Sequence, residues 1–368
     1  MAGKACFDRA RRVVRTERTV STPPKGSDAP QASDAELLAR AAGASRALHD
    51  AVAARVVGQE GVIELMLVAL LARGHALLVG VPGLAKTLLV ASLAEALDLD
   101  FGRVQFTPDL LPADITGTDV LQEDEDNQGG VHRRVRFLPG PIFHNLILAD
   151  EINRTPPKTQ AALLQAMQER RVTVGTVTHT LPDPFQVFAT RNPIEQEGTY
   201  PLPEAQLDRF LLEIHVEYPS EAEEREIARR TTSADVGTVP RVLSTAEVRA
   251  LQSLVPRIPV TDAAISLAVA LGRATRPAAA GGAPGVKEVD EYVRFGAGPR
   301  GSQALVLAAK ARAALRGEAA ADVDDVKALV NPVLRHRLVM SYRAEAEGVR
   351  VEEVIKRLLA AAKAPTGK

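Results

Sequence analysis

The chain alternates short apolar runs with longer stretches in which apolar residues recur every three or four positions. Residues 76–79, 103–106, 145–149, 185–190 and 211–216 are too short for helices and read as buried strands. Helical spacing fills 34–56, with Ser33 or Asp34 as its cap, and resumes at 61–72 after the break Val57-Gly58-Gln59-Glu60. It returns at 88–97 and at 156–170, where Pro156-Pro157 suits the first turn of a helix. Val172, Val174, Val177 and Leu181 suggest a hairpin. Residues 107–140 keep no period and read as irregular, with an acidic turn at Glu123-Asp124-Glu125-Asp126. Strands alternating with helices predict an α/β fold with a mostly parallel, doubly wound sheet. From Pro219 onward the pattern predicts helices throughout, at 221–230, 245–254, 262–274, 302–316 and 322–334, with an Ala/Gly/Pro loop at 278–284.

Two of the predicted strands end in reactive groups. Strand 76–79 runs into Gly80-Val81-Pro82-Gly83-Leu84-Ala85-Lys86-Thr87 and then into a helix. That order holds a nucleoside triphosphate: loop N–H groups point at the phosphates, and the helix N-terminus adds positive potential. Lys86 is expected on the β- and γ-phosphates and Thr87 on Mg²⁺. Ala85 stands where the G-x-x-x-x-G-K-[ST] pattern has its second glycine, so its methyl is expected only at negative φ. Strand 145–149 ends in Asp150-Glu151, adjacent carboxylates that are awkward without a cation nearby. Beside a phosphate loop, Asp150 would steady Mg²⁺ through water, and Glu151 would act as general base on the attacking water. Asn192 follows strand 185–190 and can reach that water, although Asn-Pro is also a common turn. Arg209, just before the last strand, can stabilise phosphoryl charge or form a surface pair with Asp208. Arg300 opens a helix, where a cation opposes the macrodipole and hints at an anionic partner.

The 368 residues suffice for two domains, and 46% hydrophobic with 25% charged residues is the balance of a soluble globular chain. Net charge is −1, so no global pull toward nucleic acid or anionic membrane follows. The single cysteine, Cys6, excludes an intrachain disulfide and suits a reducing, cytoplasmic setting. No apolar run approaches spanning length, so no membrane insertion is expected. Arg9, Arg11, Arg12, Arg15 and Arg18 precede no apolar core, which does not fit a secretory signal. Residues 22–33 read as a linker, and 1–34 as a flexible tail. His132, His144, His179 and His215 lack metal-ligand spacing with cysteine, and His336 reads as a surface or lid contact.

Several ordered blocks resemble the MoxR family of AAA+ ATPases. They include Gln105-Phe106-Thr107-Pro108-Asp109-Leu110-Leu111-Pro112, Gly140-Pro141-Ile142-Phe143, Ala149 to Arg154 and Asn192 to Gln206. The phosphate loop, alanine included, is similar to this family's own variant. The resemblance implies an AAA+ core over 35–219, with an insert in its second helix near 108–138 and a hairpin near 171–181, and an all-helical lid over 220–368. It implies that Asn192 is the first sensor, Arg209 an arginine finger, Arg300 the second sensor, and that Val57 and Gly58 lie near adenine. It further implies ATP with Mg²⁺, a homo-oligomeric ring (hexameric as a rule), and chaperone-like remodelling of a client protein, with a von Willebrand factor A domain partner and roles in metal or cofactor insertion. Arg191 stands where the family more often has glutamine, and Gly298 where it more often has serine. Three alternatives remain: a nucleic-acid motor tracking phosphates with Arg133, Arg134 and Arg136, a magnesium or cobalt chelatase ATPase subunit, or a non-hydrolysing scaffold.

Overall fold

The computed structural model describes residues 33–125, 131–194, 198–232, 237–281 and 286–362. The basic tail with Cys6, the linker, the tip of the acidic turn and positions 282–284 of the Ala/Gly/Pro loop lie outside the described residues. Helices α1 (Asp34–Ala53) and α2 (Glu60–Leu71) lead into strand β1 (Ala76–Val79), and α3 (Lys86–Ala96) follows the glycine-bearing loop. Strand β2 (Phe101–Gln105), helix α4 (Pro112–Thr116) and the paired strands β3 (Gly117–Glu125) and β4 (Val131–Pro139) come next. Strand β5 (Leu146–Asp150), helix α5 (Pro157–Glu169) and the hairpin β6 (Arg171–Val174) and β7 (Val177–Thr180) follow. Strand β8 (Gln186–Arg191), helix α6 (Glu204–Leu207) and strand β9 (Leu212–His215) complete the α/β part. The remainder comprises α7 (Glu221–Thr231), α8 (Thr245–Leu254), α9 (Asp262–Ala274), α10 (Lys287–Tyr292), α11 (Pro299–Arg316), α12 (Val323–Leu334), α13 (Tyr342–Glu347) and α14 (Val351–Ala361). Within it, β10 (Val293–Phe295) pairs antiparallel with β11 (Val339–Met340), so the expected all-helical region carries one small ladder.

The core sheet has the order β2-β5-β8-β1-β9 with every pairing parallel. Strands β1, β5, β8 and β9 are buried on both faces, which is why they read as apolar runs, whereas the edge strand β2 alternates, with Arg103 and Gln105 exposed. Ala76, Leu78, Leu148, Phe188 and Ile214 pack toward α1, α2 and α3, while Leu77, Val79, Ile147, Ala149, Val187 and Ala189 pack toward α5. The stretch 107–140 is not irregular: α4 and the β3–β4 ladder occupy it, with Gly117↔Pro139 through Glu125↔Val131 in register. Phe137 of β4 stacks on His179 of β7 at 3.9 Å, tying the two hairpins together.

The helical part docks on the sheet edge through residues after α12. Arg337 donates to the carbonyls of Phe210 at 2.7 Å and Leu211 at 3.1 Å, and His336 Nε2 lies 3.1 Å from Phe210 O. His336 is buried at this junction, not on the surface. Residues Asp34–Lys368 form one compact unit, and among the described residues no helix is long and apolar enough to cross a membrane.

Candidate active site

The carboxyl ends of β5, β8 and β1 stand side by side, so groups far apart in sequence meet along one edge of the sheet. Gly80 leaves β1 against β9: a Cβ there would lie 2.7 Å from Val216 O, so only glycine fits. Gly83 turns the loop at φ 87°, a value that favours glycine. Ala85 then sits at φ 55°, ψ 23°, contrary to the expectation of negative φ. It is the residue before the first turn of α3 and provides no side-chain cap. The first N–H groups of α3 therefore face the loop's hollow, the arrangement that favours an anion.

Lys86 Nζ donates to Gly80 O and, at 3.1 Å, to Val81 O. Burial lowers its pKa from the ordinary lysine value, while the nearby carboxylates of Asp150 and Glu151 oppose that shift. Asp150 Oδ1 accepts from Thr190 Oγ1 at 2.6 Å, and Oδ2 accepts from Arg103 Nη2 at 2.7 Å. Glu151, at φ 58°, donates its N–H to Thr190 Oγ1 at 2.8 Å. Its Oε2 accepts from Gln105 Nε2 and Arg154 Nε, each at 3.0 Å. The cations that relieve the carboxylate pair in this state are thus two arginines, Arg103 and Arg154. Asn192 is buried, and its Oδ1 accepts from Ile194 N at 3.1 Å.

A cavity of about 420 Å³ is lined by Pro82 to Leu88, Asp150, Glu151, Thr190 and Asn192. Its volume suits a small polar ligand. Gly83, Leu84, Ala85 and Leu88 also line an adjoining hollow of about 100 Å³, with Val57, Ile227 and Thr231 on its far side. Gly58 adjoins Val57 at φ 70°, with the carboxylate of Glu223 against its Cα. The donor set offered to Mg²⁺ is a hydroxyl, Thr87, and a carboxylate, Asp150, both on the phosphate cavity. These hard oxygens fit Mg²⁺, which is held through few protein ligands plus phosphate rather than a full protein cage. Accordingly, no cluster of three or more His, Cys, Asp or Glu able to hold a metal occurs among the described residues.

Arg209 and Arg300 do not line this cavity. Arg209 lies in the turn after α6, half-buried. Arg300, in the first turn of α11, pairs with Asp208 at 3.4 Å, and Asp208 also accepts from Arg337 at 2.8 Å. Asp208 therefore bonds residues of the helical part, not its neighbour Arg209. Sequence reasoning missed Thr190, Arg103, Gln105 and Arg154. The two-residue alternation on β2, which brings Arg103 and Gln105 to the carboxylate side, was the available signal.

The geometry, a strand–loop–helix turn facing paired carboxylates and the polar residues Thr190 and Asn192, is that of an ATPase of the AAA class. The model of the ATPase family associated with various cellular activities (AAA) matches residues 75–212, and that of the AAA lid domain matches 287–358. The chain is 44% identical over 308 residues to Chaperone MoxR1 of Mycobacterium tuberculosis, covering 83% of this chain and 78% of that protein. It is 37% identical over 301 residues to Protein MoxR of Paracoccus denitrificans, covering 78% and 86%. A crystal structure from Cytophaga hutchinsonii with a provisional ATPase assignment superposes with TM-score 0.79 at 39% identity, covering 89% of this chain and 97% of that one. The chain belongs to the MoxR family of AAA+ ATPases and hydrolyses ATP.

Proposed function

We propose that this protein is a Mg²⁺-dependent, chaperone-like remodeller that works as a ring of identical subunits, with its core over 35–219, its lid over 220–368 and a tail before them. One observation carries the reading. Lys86, Asp150, Glu151, Thr190 and Asn192 meet at one cavity, while Arg209 and Arg300 stand outside it, Arg300 held by Asp208, the residue before Arg209. A site whose arginines are displaced from its own cavity is completed by a neighbouring copy.

In this mechanism the loop amides and Lys86 hold the β- and γ-phosphates of ATP, and Val57 and Gly58 border the base. Mg²⁺, held by Thr87 and Asp150, would neutralise developing phosphate charge. Glu151, released from Arg154, takes the proton of the attacking water, and Asn192 orients that water. Arg209 of the adjacent copy stabilises the transferring phosphoryl group, and Arg300 approaches the same nucleotide from the same edge.

Remodelling of a protein is favoured over a nucleic-acid motor by the β3–β4 hairpin. Arg133, Arg134 and Arg136 lie on β4, but they are interleaved with exposed Val135 and Leu138, and Leu121 faces Val135 across the ladder. A hairpin that mixes exposed apolar side chains with its arginines and acids suits an extended protein segment better than a phosphate backbone. The name Chaperone MoxR1 of the Mycobacterium tuberculosis relative points the same way. The family resemblance extends the proposal to a von Willebrand factor A domain partner, to metal or cofactor insertion, and to a cytoplasmic location.

Glu151→Gln tests the reading. It should retain ATP and lose turnover by about 100-fold or more, the worth of a general base. Capture on this trapped variant should recover protein in an ATP-dependent way. Unchanged turnover would refute the base, and steeply salt-dependent DNA binding in place of protein capture would favour the motor.

A further inference from the structure

Strand β8 ends in Thr190-Arg191, and Asn192 follows it. Thr190 and Asn192 line the phosphate cavity, whereas Arg191 does not, as the two-residue alternation of a strand requires. Its side chain crosses β1 instead. Arg191 Nη2 lies 3.6 Å from Glu213 Oε2 on β9, the strand on the far side of β1. Glu213 is 5% exposed, which makes it a buried carboxylate at the back of the phosphate loop. Burial pushes its carboxyl up, but the hydrogen bond with His215 and neighbouring charge, Arg191 included, outweigh that and hold it below the ordinary value. His336 is itself pushed down to about 3 by burial, so at neutral pH it carries no charge. Arg191 is then the guanidinium in contact with this buried anion.

The main chain of Arg191 is tied as firmly. Its carbonyl accepts from Gly80 N at 3.3 Å, and the carbonyl of Gly80 accepts from Lys86 Nζ. On the other side, Glu213 Oε1 lies 2.8 Å from His215 Nε2. His215 Nδ1 is 4.0 Å from Glu352 of α14, and Glu352 is 3.9 Å from Arg335 after α12. A continuous polar chain thus runs from two helices of the lid to the residue next to Asn192.

We propose that Arg191 and Glu213 form a positioning pair for ATP hydrolysis, fixing the end of β8 so that Asn192 and Gly80 hold their places and transmitting the position of α14 to them. Arg191 supplies Glu213 with a permanent positive charge on one carboxylate oxygen, while His215 meets the other. The pair touches neither ATP nor the attacking water. Its effect should fall on the rate of the chemical step rather than on binding.

The inference rests on the assignment of Asn192 to the attacking water, so Asn192→Ala is assayed beside the variants. Arg191→Ala should lower kcat roughly ten-fold, the scale of a small misplacement near the chemistry, with KM for ATP within about two-fold of wild type. Arg191→Lys should restore most of that loss. Glu213→Gln should lower kcat by a similar factor, and the double variant Arg191→Ala/Glu213→Gln should be no slower than either single one, as for one coupled unit. Because the Arg191 side chain is 33% exposed, its two variants decide the question even where Glu213→Gln does not fold. Wild-type kcat in Arg191→Ala with Asn192→Ala inactive would overturn the positioning role alone. Losses that multiply in the double variant, or a loss that lysine does not restore, would overturn it too. Wild-type turnover in Asn192→Ala would remove the assignment beneath it, and the inference with it.

Discussion

At the scale of single residues, the loop holds strain where a glycine is more usual. Ala85 adopts the left-handed region at φ 55°, which costs a residue with a Cβ on the order of 1 kcal/mol. Ala85→Gly should therefore raise unfolding free energy by about 1 kcal/mol or less, the gain being offset by glycine's freer unfolded chain, and should keep ATP binding. Denaturant melts with nucleotide titration check this, and destabilisation would contradict it. Two buried imidazoles give a pH signature. His75 Nε2–H donates to Met167 O at 3.1 Å, its Nδ1 accepts from Val187 N at 3.0 Å, and burial lowers its pKa to about 4. His336 is lowered to about 3. Both native values lie below the unfolded histidine value of about 6.5, so below that pH the unfolded chain binds protons that the native chain refuses. Stability is lost as pH falls from 6.5 toward 4 for His75 and toward 3 for His336, on the order of 2 kcal/mol each by pH 5. NMR should find both rings still neutral at pH 5 in the folded protein, and protonated-ring shifts there would contradict the assignment. Lys86 and Thr87 were legible because they open a helix after a glycine-bearing loop, and Asp150 and Glu151 because they close a strand. Thr190 and Arg103 were not, because their roles arise only when β8 and β2 are laid beside β5, and Arg154 was passed over although its pairing with Glu151 is local.

At the scale of elements, the five core strands were legible to within a residue or two, β1, β5, β8 and β9 as apolar runs because both their faces are buried. The β3–β4 ladder was invisible for the opposite reason. Its positions mix charges with exposed Leu121 and Val135, so no face carries an apolar signal. Helix α14, with Val354, Ile355 and Leu358 buried at helical spacing, was readable in principle and was passed over. Helix α11 shows what one departure from the family does. Gly298 is its N-cap, with no side-chain cap bond, at φ −73° and with nothing within 4 Å of where a Cβ would stand. A serine fits there without strain, so glycine is not required by space. Gly298→Ser should add a few tenths of a kcal/mol through a hydroxyl bond to the first turn, with ATPase activity retained. Thermal melts check it, and a lowered melting temperature would mean that the N-cap geometry is misread.

At the scale of the whole molecule, the division of labour between copies is the claim on which the rest depends. Asp208 holds Arg300 and Arg337 at the junction of core and lid, and it immediately precedes Arg209 in the chain. The lid's position would then govern how a neighbour's ATP is met, and the Arg191–Glu213 chain would report that position within the same subunit. The fold class and the phosphate loop were legible in the sequence. The displacement of Arg300 from the cavity was not, because it depends on where α11 docks. The most direct measurement mixes two inactive variants, Glu151→Gln with intact Arg209 and Arg209→Ala with intact Glu151. In a head-to-tail ring a site is competent when an Arg209→Ala subunit faces a Glu151→Gln neighbour, so an equimolar mixture should regain about a quarter of wild-type turnover. Mixed assemblies that form but stay inactive at every ratio, or an Arg209→Ala protein that hydrolyses ATP at the wild-type rate alone, would contradict it.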